Sequence, residues 1–504
     1  MPFDNVKRDA SIFWLGEAAA VLLTDDLNRR GAAAITRDER REAFERLQVP
    51  PAAMLTEATA IRIGQLVGAS DVITGSLNRE GNTLVVHARA LALETGRVTR
   101  DVIERGPVSE LFAIFRRTAR SLGPVAQPQD TDSQPVLPLP AFESYIKGLL
   151  AETPANSIAY LKTALTVSPT FDRARLALWD VFAADGDHEQ ALAAVAAVPA
   201  DSLWSRRAKF LAGLSLLSLK KHDDAFAAFE ALANTQPTPA AFNNLGIARL
   251  RGGSPSGPIE PPTVYFTKAA ELDPNNPDYC FNLGYAYWLT HDLPAAIHWL
   301  RETVRRNPAD GEAHFVLGTA LGAAGSTVES SRERDLARRL SSIYEQWAAR
   351  PAAEAVPSGL ERVTDGVEVA HARQIETTIA DNERRDQREL ARFYLDSGRR
   401  LFQQEKDREA ADQLNRATYL SPYEAEAHLL VGRIHLRNHR VREAIDAFKI
   451  SLWSAETLAA HLGLAEAYLQ NKDADSARTE AARAVALDPS SADATALLAR
   501  ISPQ

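Results

Sequence analysis

The hydrophobic positions divide the chain into two regions with different periodicities. Residues 1–121 mix apolar stripes at helical spacing with short strand-like runs, which predicts a compact α/β domain. From residue 141 onward nearly every apolar position follows helical spacing. In the first region the pattern predicts helices over residues 13–29, 58–67 and 109–120, and strands over residues 32–36, 71–77, 83–93 and 97–103.

Residues 122–140 lie between these regions and are rich in proline, with glutamine, aspartate and serine interspersed. Such a composition favours an extended, semi-stiff spacer over packed structure. We therefore place a linker at residues 122–140. We also expect it to let the α/β domain and the helical region move independently.

Small and apolar residues recur at fixed intervals in the helical region. The spacing predicts a helical hairpin, because glycine and alanine let two helices approach closely and a proline then ends the second helix. Three sets share intervals of 12, 4 and 8 residues: Gly213, Ala225, Phe229 and Pro237; Gly284, Ala296, Leu300 and Pro308; and Gly398, Ala410, Leu414 and Pro422.

These intervals resemble those of the tetratricopeptide repeat, a helical hairpin that recurs about every 34 residues. The resemblance covers most of residues 141–502 and implies a mostly α protein, an α-solenoid of about eight or nine hairpins behind a small α/β domain. After Gly318 the pattern is lost. We therefore predict repeat blocks at residues 141–345 and 385–504, an irregular connector at residues 346–384, and a C-terminal capping helix.

The first region resembles the TolB amino-terminal-like family, whose α/β fold is shared with FlgO and CsgG. The resemblance rests on three stretches, Met1–Asn5, Trp14–Glu17 and Ala69–Leu77. In that family the motif at Pro2 and Phe3 ends an apolar first strand. The resemblance thus implies that the domain at residues 1–121 lacks most of its first strand. It also implies that a signal peptide or lipidation site could have preceded that strand.

Composition and charge exclude several classes of protein. The chain has 504 residues, with 57 Lys and Arg against 66 Asp and Glu, and its net charge of −9 argues against a nucleic-acid partner. Its longest apolar runs are far shorter than the roughly 20 residues that a transmembrane helix needs. The chain is expected to be soluble and cytoplasmic by default, or periplasmic or in the cell envelope if an upstream signal sequence is missing.

The sequence carries no recognisable catalytic motif. Phosphate-binding loops, dinucleotide fingerprints and zinc-protease motifs are all missing from it. A single cysteine, Cys280, excludes an internal disulfide framework and any multi-cysteine metal site. We therefore predict that the protein is not an enzyme and has neither a cofactor nor a metal site.

In the tetratricopeptide family the first helix of each hairpin lines a binding groove, and the resemblance assigns this role to positions of this chain. Asparagine amides can bond the backbone of an extended peptide, aromatic rings supply contact area, and arginines suit carboxylates. The candidates are Asn243, Asn244, Arg251, Phe281, Asn282, Tyr285 and Trp288, followed by a basic row of Arg392, Arg399, Arg433 and Arg437. The alternative is that the aromatic residues pack between hairpins and the arginines are solvated.

Three functional hypotheses follow. The first is a non-catalytic scaffold that binds partner proteins or peptides in the groove of the repeats. The second is a cell-envelope assembly or trafficking factor, periplasmic or associated with the outer membrane. The third is a sensor whose α/β domain binds a small ligand. The sequence leaves the identity of the partners and the oligomeric state open.

Overall fold

The computed structural model describes residues 1–47, 49, 55–123, 137–253, 260–351, 354–365 and 388–501. Their contacts form two compact units. Unit 1 comprises Met1–Pro274 with the described part of Glu361–Ala380, and unit 2 comprises Asn275–Leu360 with the described part of Asp381–Gln504. The predicted linker falls largely outside the described residues, as does most of the predicted connector.

Unit 1 begins with the α/β domain. Its four strands lie in the order β1-β2-β3-β4, with β1 parallel to β2 and the other pairs antiparallel. Gly81 has a φ of +62°, a left-handed conformation that glycine adopts without strain and that closes the β2–β3 hairpin. The elements are β1 (Asp4–Asn5), α1 (Leu15–Arg29), α2 (Arg37–Arg46), α3 (Glu57–Leu66), β2 (Asp71–Glu80), β3 (Thr83–Ala92), β4 (Arg97–Pro107) and α4 (Leu111–Leu122).

The predicted strand at residues 32–36 is wrong, because this segment is irregular. Its backbone groups form hydrogen bonds with local side chains, and not with a neighbouring strand. Asn28 accepts from the Ala34 amide at 2.7 Å and donates to the Ala34 carbonyl at 2.9 Å. Thr36 then forms a capping box with Glu39 at the start of α2. Side-chain bonds of this kind compete with sheet pairing, and here they end the segment at a helix.

Outside the α/β domain, most of the described residues of both units lie in helical hairpins, which confirms the predicted fold class. Within the described residues, unit 1 holds α5 (Leu139–Leu150), α6 (Pro154–Val167), α7 (Asp172–Ala184), α8 (His188–Ala196), α9 (Ser205–Ser218), α10 (His222–Thr235), α11 (Pro239–Leu250) and α12 (Pro262–Leu272). Unit 2 holds α13 (Pro277–Leu289), α14 (Leu293–Arg306), α15 (Gly311–Ala323), α16 (Thr327–Leu340), α17 (Tyr344–Ala348), α18 (described over residues 388–403), α19 (Asp407–Leu420), α20 (Ala425–Arg437), α21 (Val441–Ser454), α22 (Leu458–Gln470), α23 (Ala474–Leu487) and α24 (Ala492–Ile501).

The recurring glycine sets the distance between the two helices of a hairpin. A Cβ atom at Gly284 would lie 2.8 Å from Leu300 Cγ, and one at Gly213 would lie 2.6 Å from Phe229 Cζ. Both separations are shorter than ordinary van der Waals contact, so a larger residue would force the helices apart. The structure therefore confirms the close approach that the spacing predicted.

The α/β domain shares a hydrophobic core with the first hairpins, so the expected independent movement is wrong. Phe142 of α5 is 2% exposed, and its ring centroid lies 6.4 Å from that of Trp14 and 5.3 Å from that of Phe112. Arg37 of α2 donates to the carbonyl of Leu149 at 2.8 Å. The proline-rich composition of the linker did not predict this core, because the aromatic residues that form it lie on either side.

In unit 2, a polar junction joins α16 to the hairpins beyond the predicted connector. His428 of α20 donates from Nε2 to the Pro422 carbonyl at 2.7 Å, and Arg332 of α16 donates to the same oxygen. Tyr423 donates to Glu333 at 3.3 Å. Burial, followed by the neighbouring Arg332 charge, lowers the pKa of His428 to about 3.

We predict that Phe142→Ala lowers the free energy of unfolding by about 3–5 kcal/mol, because it removes a buried ring from a shared core. Urea denaturation measures this loss. Hydrogen exchange should also become faster in α1 of the α/β domain, since its contact with α5 is weakened. The control is Phe393→Ala, because Phe393 is 60% exposed. Unchanged exchange in α1 would show that the two parts are uncoupled.

We also predict an acid-sensitive stability of unit 2 that depends on His428. The unfolded side chain binds a proton below its ordinary pKa of 6.5, whereas the folded one does so only near 3. Its contribution to stability is therefore complete above pH 6.5 and falls as the pH drops from 6.5 towards 3. Between pH 7 and 5, wild type should lose about 2 kcal/mol more than His428→Gln in denaturant titrations. Parallel pH profiles would contradict this assignment.

Candidate functional site

Helix α11 carries three of the predicted groove residues on a well-defined framework. Thr238 caps its start by accepting from the Ala241 amide, and Pro239 occupies the first turn. Asn243 and Asn244 follow in the body of the helix and are both fully buried. Arg251 lies at its C-terminal end. Buried amides must be hydrogen-bonded to be tolerated, so the partners of these side chains define the site.

Asn244 pairs with the main chain of Thr364. Its Nδ2 donates to the Thr364 carbonyl at 2.8 Å, and its Oδ1 accepts from the Thr364 amide at 2.9 Å. The carboxamide thus offers one donor and one acceptor to a single residue, as a neighbouring β-strand would. Such a pair recognises extended backbone whatever side chain that residue carries.

Asn243 and Arg251 bind the same segment at two further points. Asn243 Nδ2 lies 2.9 Å from the Arg362 carbonyl and 3.0 Å from Thr364 Oγ1. Arg251 Nε lies 2.6 Å from Glu361 Oε1, and the Glu361 side chain is only 5% exposed. We call residues 361–364 the inner segment. All of these contacts lie within unit 1.

In unit 2, the predicted aromatic residues of α13 are mostly buried. Phe281 and Tyr285 stack with their rings 8° from parallel and their centroids 6.1 Å apart. The Tyr285 hydroxyl donates to the Pro357 carbonyl at 2.9 Å. Asn282 is fully buried, and Trp288 is partly exposed. Tyr285 therefore combines packing with a bond to the backbone of a non-helical residue.

Two members of the predicted basic row are ion-paired along the helices of unit 2. Arg399 donates to both carboxylate oxygens of Glu426 at 2.7 Å. Arg437 lies 3.0 Å from Asp407 and above the Phe402 ring. The other two residues of the row, Arg392 and Arg433, are exposed. The row thus carries less uncompensated positive charge than its four arginines indicate.

Sequence reasoning missed the inner segment and two clefts. The inner segment lies where no repeat fits, and lack of periodicity was its only signal. A cleft of about 710 Å³ in unit 1 is lined by charges of both signs, including Arg207 and Asp38. Another of about 840 Å³ in unit 2 contains Arg301, whose guanidinium lies 5.0 Å from the Trp453 ring centroid.

Among the residues that the structure describes, no group of three or more histidine, cysteine, aspartate or glutamate side chains could hold a metal ion. In the same part of the chain, no helix combines the length and the apolar character needed to cross a bilayer.

Comparisons with known proteins identify the repeats. The family model described as tetratricopeptide repeat matches residues 265–310, 281–330, 395–454 and 450–492. A comparison with curated proteins gives no significant match. The resemblance of residues 1–121 to the TolB amino-terminal-like family stays a prediction.

Solved structures with similar folds include several small repeat proteins. PilF of Pseudomonas aeruginosa is 17% identical, with 42% of this chain and 96% of that chain covered and a TM-score of 0.35. MamA from Desulfovibrio magneticus RS-1 is 20% identical, with 35% and 99% covered and a TM-score of 0.32. YrrB, titled a TPR protein with an unusual peptide-binding site, is 15% identical, with 37% and 96% covered and a TM-score of 0.29.

The family match and the helical architecture lead to one assignment. The matched stretches run from within α12 to the start of α16 and from within α18 through α23 to the start of α24. Residues 265–330 and 395–492 therefore match the tetratricopeptide repeat, and the described part of the chain is mostly helical with a small α/β domain near its N-terminal end.

Proposed function

We propose that this protein is a non-catalytic scaffold that binds extended segments of partner proteins. The binding surface is the side of α11 that carries Asn243, Asn244 and Arg251, which we call the α11 face. The observation that carries the proposal is the pairing of Asn244 with the amide and carbonyl of Thr364. A helix that presents a buried carboxamide to an extended backbone has the chemistry of a peptide-binding groove.

The groups that converge on the inner segment are suited to binding rather than to catalysis. Asn243 and Asn244 are neutral amides that neither gain nor lose a proton in the physiological range. The guanidinium of Arg251 is paired with the carboxylate of Glu361. Each group holds a peptide atom in place, which is the behaviour expected of a recognition surface.

Affinity for an extended peptide comes from several contacts of different kinds. Backbone bonds from Asn243 and Asn244 fix the register of the chain, and the ion pair of Arg251 adds a charge-assisted bond. In unit 2, Tyr285 makes the same kind of bond to a main-chain carbonyl. Recognition of backbone by one helix of a repeat is therefore supported at two separate places.

We predict that Asn244→Leu weakens peptide binding at least about tenfold, because it leaves a peptide amide and carbonyl without partners in a buried site. The measurement is the binding of the full chain to an array of unrelated twelve-residue peptides. Those that bind wild type are then titrated against the variant.

The matched control is Asn156→Leu, which makes the same replacement at an exposed helical position of unit 1. It should bind the selected peptides as wild type does. Equal binding by wild type and Asn244→Leu, with both variants folded by circular dichroism, would rule out the α11 face as the binding surface.

A further inference from the structure

We propose that the inner segment is an internal ligand of the α11 face, and that the partner which replaces it is an extended peptide with a carboxylate three residues before a hydroxyl. This inference rests on the proposed function. It adds the chemistry of the partner and a competition between that partner and the protein's own chain.

The inner segment is bound as a peptide would be, and not as part of a hairpin. It is neither helix nor strand, and the residues that it contacts lie 110 to 121 positions away in the sequence. The two asparagines donate three hydrogen bonds to it and accept one from its Thr364 amide, and the ion pair of Arg251 with Glu361 adds a further contact. Both main-chain and side-chain atoms are therefore recognised.

Two side chains of the inner segment, those of Glu361 and Thr364, each have their own partner on α11. Glu361 is almost completely buried and faces Arg251, so this position requires a negative charge to match the guanidinium. Thr364 offers its hydroxyl to Asn243 as well as its backbone to Asn244. Val363, between them, is 40% exposed and so tolerates other side chains. The pattern that the face selects is thus an acidic residue followed three positions later by a serine or threonine.

The burial of the asparagines favours a filled site. Asn243 and Asn244 have no exposed surface while the inner segment is in place. A competing peptide must supply the same carbonyl, amide and hydroxyl, since an incomplete set would leave buried polar groups without partners. A peptide that reproduces the pattern is the ligand class that meets this demand.

A ligand on the same chain competes at high effective concentration. Tethered segments typically act at about millimolar effective concentration, which lowers the apparent affinity of any free peptide. A free peptide therefore binds strongly only when the inner segment is displaced or altered. The inner segment therefore sets the affinity that a partner must exceed in order to bind.

The test uses a fluorescent peptide of residues 358–365 and the full chain. In the displaced variant, Glu361→Lys places a positive charge beside Arg251, and Thr364→Pro removes the hydroxyl that Asn243 binds and the amide N–H that Asn244 binds. We expect this double variant to bind the probe at least about tenfold more tightly than wild type, measured by fluorescence anisotropy. Adding Asn244→Leu to it should abolish that gain.

The matched control is Glu110→Lys, a charge reversal at an exposed position of unit 1, which should bind the probe as wild type does. A probe with the glutamate replaced by glutamine and the threonine by valine should bind the displaced variant at least about tenfold more weakly than the parent probe. Circular dichroism confirms that each variant is folded.

Equal probe affinity for wild type and the displaced variant would overturn the internal-ligand inference. The displaced variant could instead bind both probes equally well and lose this binding when Asn244→Leu is added. That result would overturn the partner chemistry and leave the proposed function intact. If the displaced variant binds neither the probe nor any array peptide through Asn244, the proposed function fails as well.

Discussion

Much of the candidate site depends on one constraint, that a buried carboxamide must have partners for both its donor and its acceptor. Asn244 meets this constraint through the amide and carbonyl of Thr364. The same solution appears in the α/β domain, where Asn28 binds both backbone groups of Ala34. In the first case the pairing holds a segment from far along the chain, and in the second it shapes a local turn.

Under the proposed function, this constraint explains why the α11 face would select extended backbone. A helix satisfies its own main chain and presents side chains alone, so it can bind a peptide only through groups such as amides, guanidinium groups and aromatic rings. Asn243 and Asn244 supply the amides, and Arg251 adds a charge that Glu361 neutralises in a buried setting. Packing of the hairpins then matters for function because it keeps these groups in register. The close contact of Gly284 with Leu300 shows how tightly that packing is specified.

Features with a regular period could be predicted from the sequence, and features that depend on distant partners could not. The intervals around Gly213 and Gly284 predicted the hairpins because helix contact repeats along the chain. The segment at residues 32–36 was apolar enough for a strand, but the side chains of Asn28 and Glu39 satisfied its backbone locally. Likewise, the composition of the proline-rich linker gave no indication of the shared core that forms around Phe142.

The candidate site likewise combines residues that the sequence predicted with partners that it did not predict. Asn243, Asn244 and Arg251 followed from their places in the repeat, but their partner did not, because the inner segment has no period that connects it to α11. The ion pair of Arg399 with Glu426 joins residues 27 positions apart, and residue type alone did not reveal it. Position in a repeat therefore indicates which side chains are candidates for a groove, whereas only the folded chain shows which atoms they contact.

Hydrogen exchange at the Thr364 amide tests the central claim most directly, because Asn244 is the acceptor for that single N–H. In wild type this amide should exchange slowly for a residue outside helices and strands. Asn244→Ala should accelerate its exchange at least about tenfold while leaving α1 unchanged, as expected for the loss of one protecting bond. Exchange at the rate of a free peptide in wild type, or no change in the variant, would contradict the account.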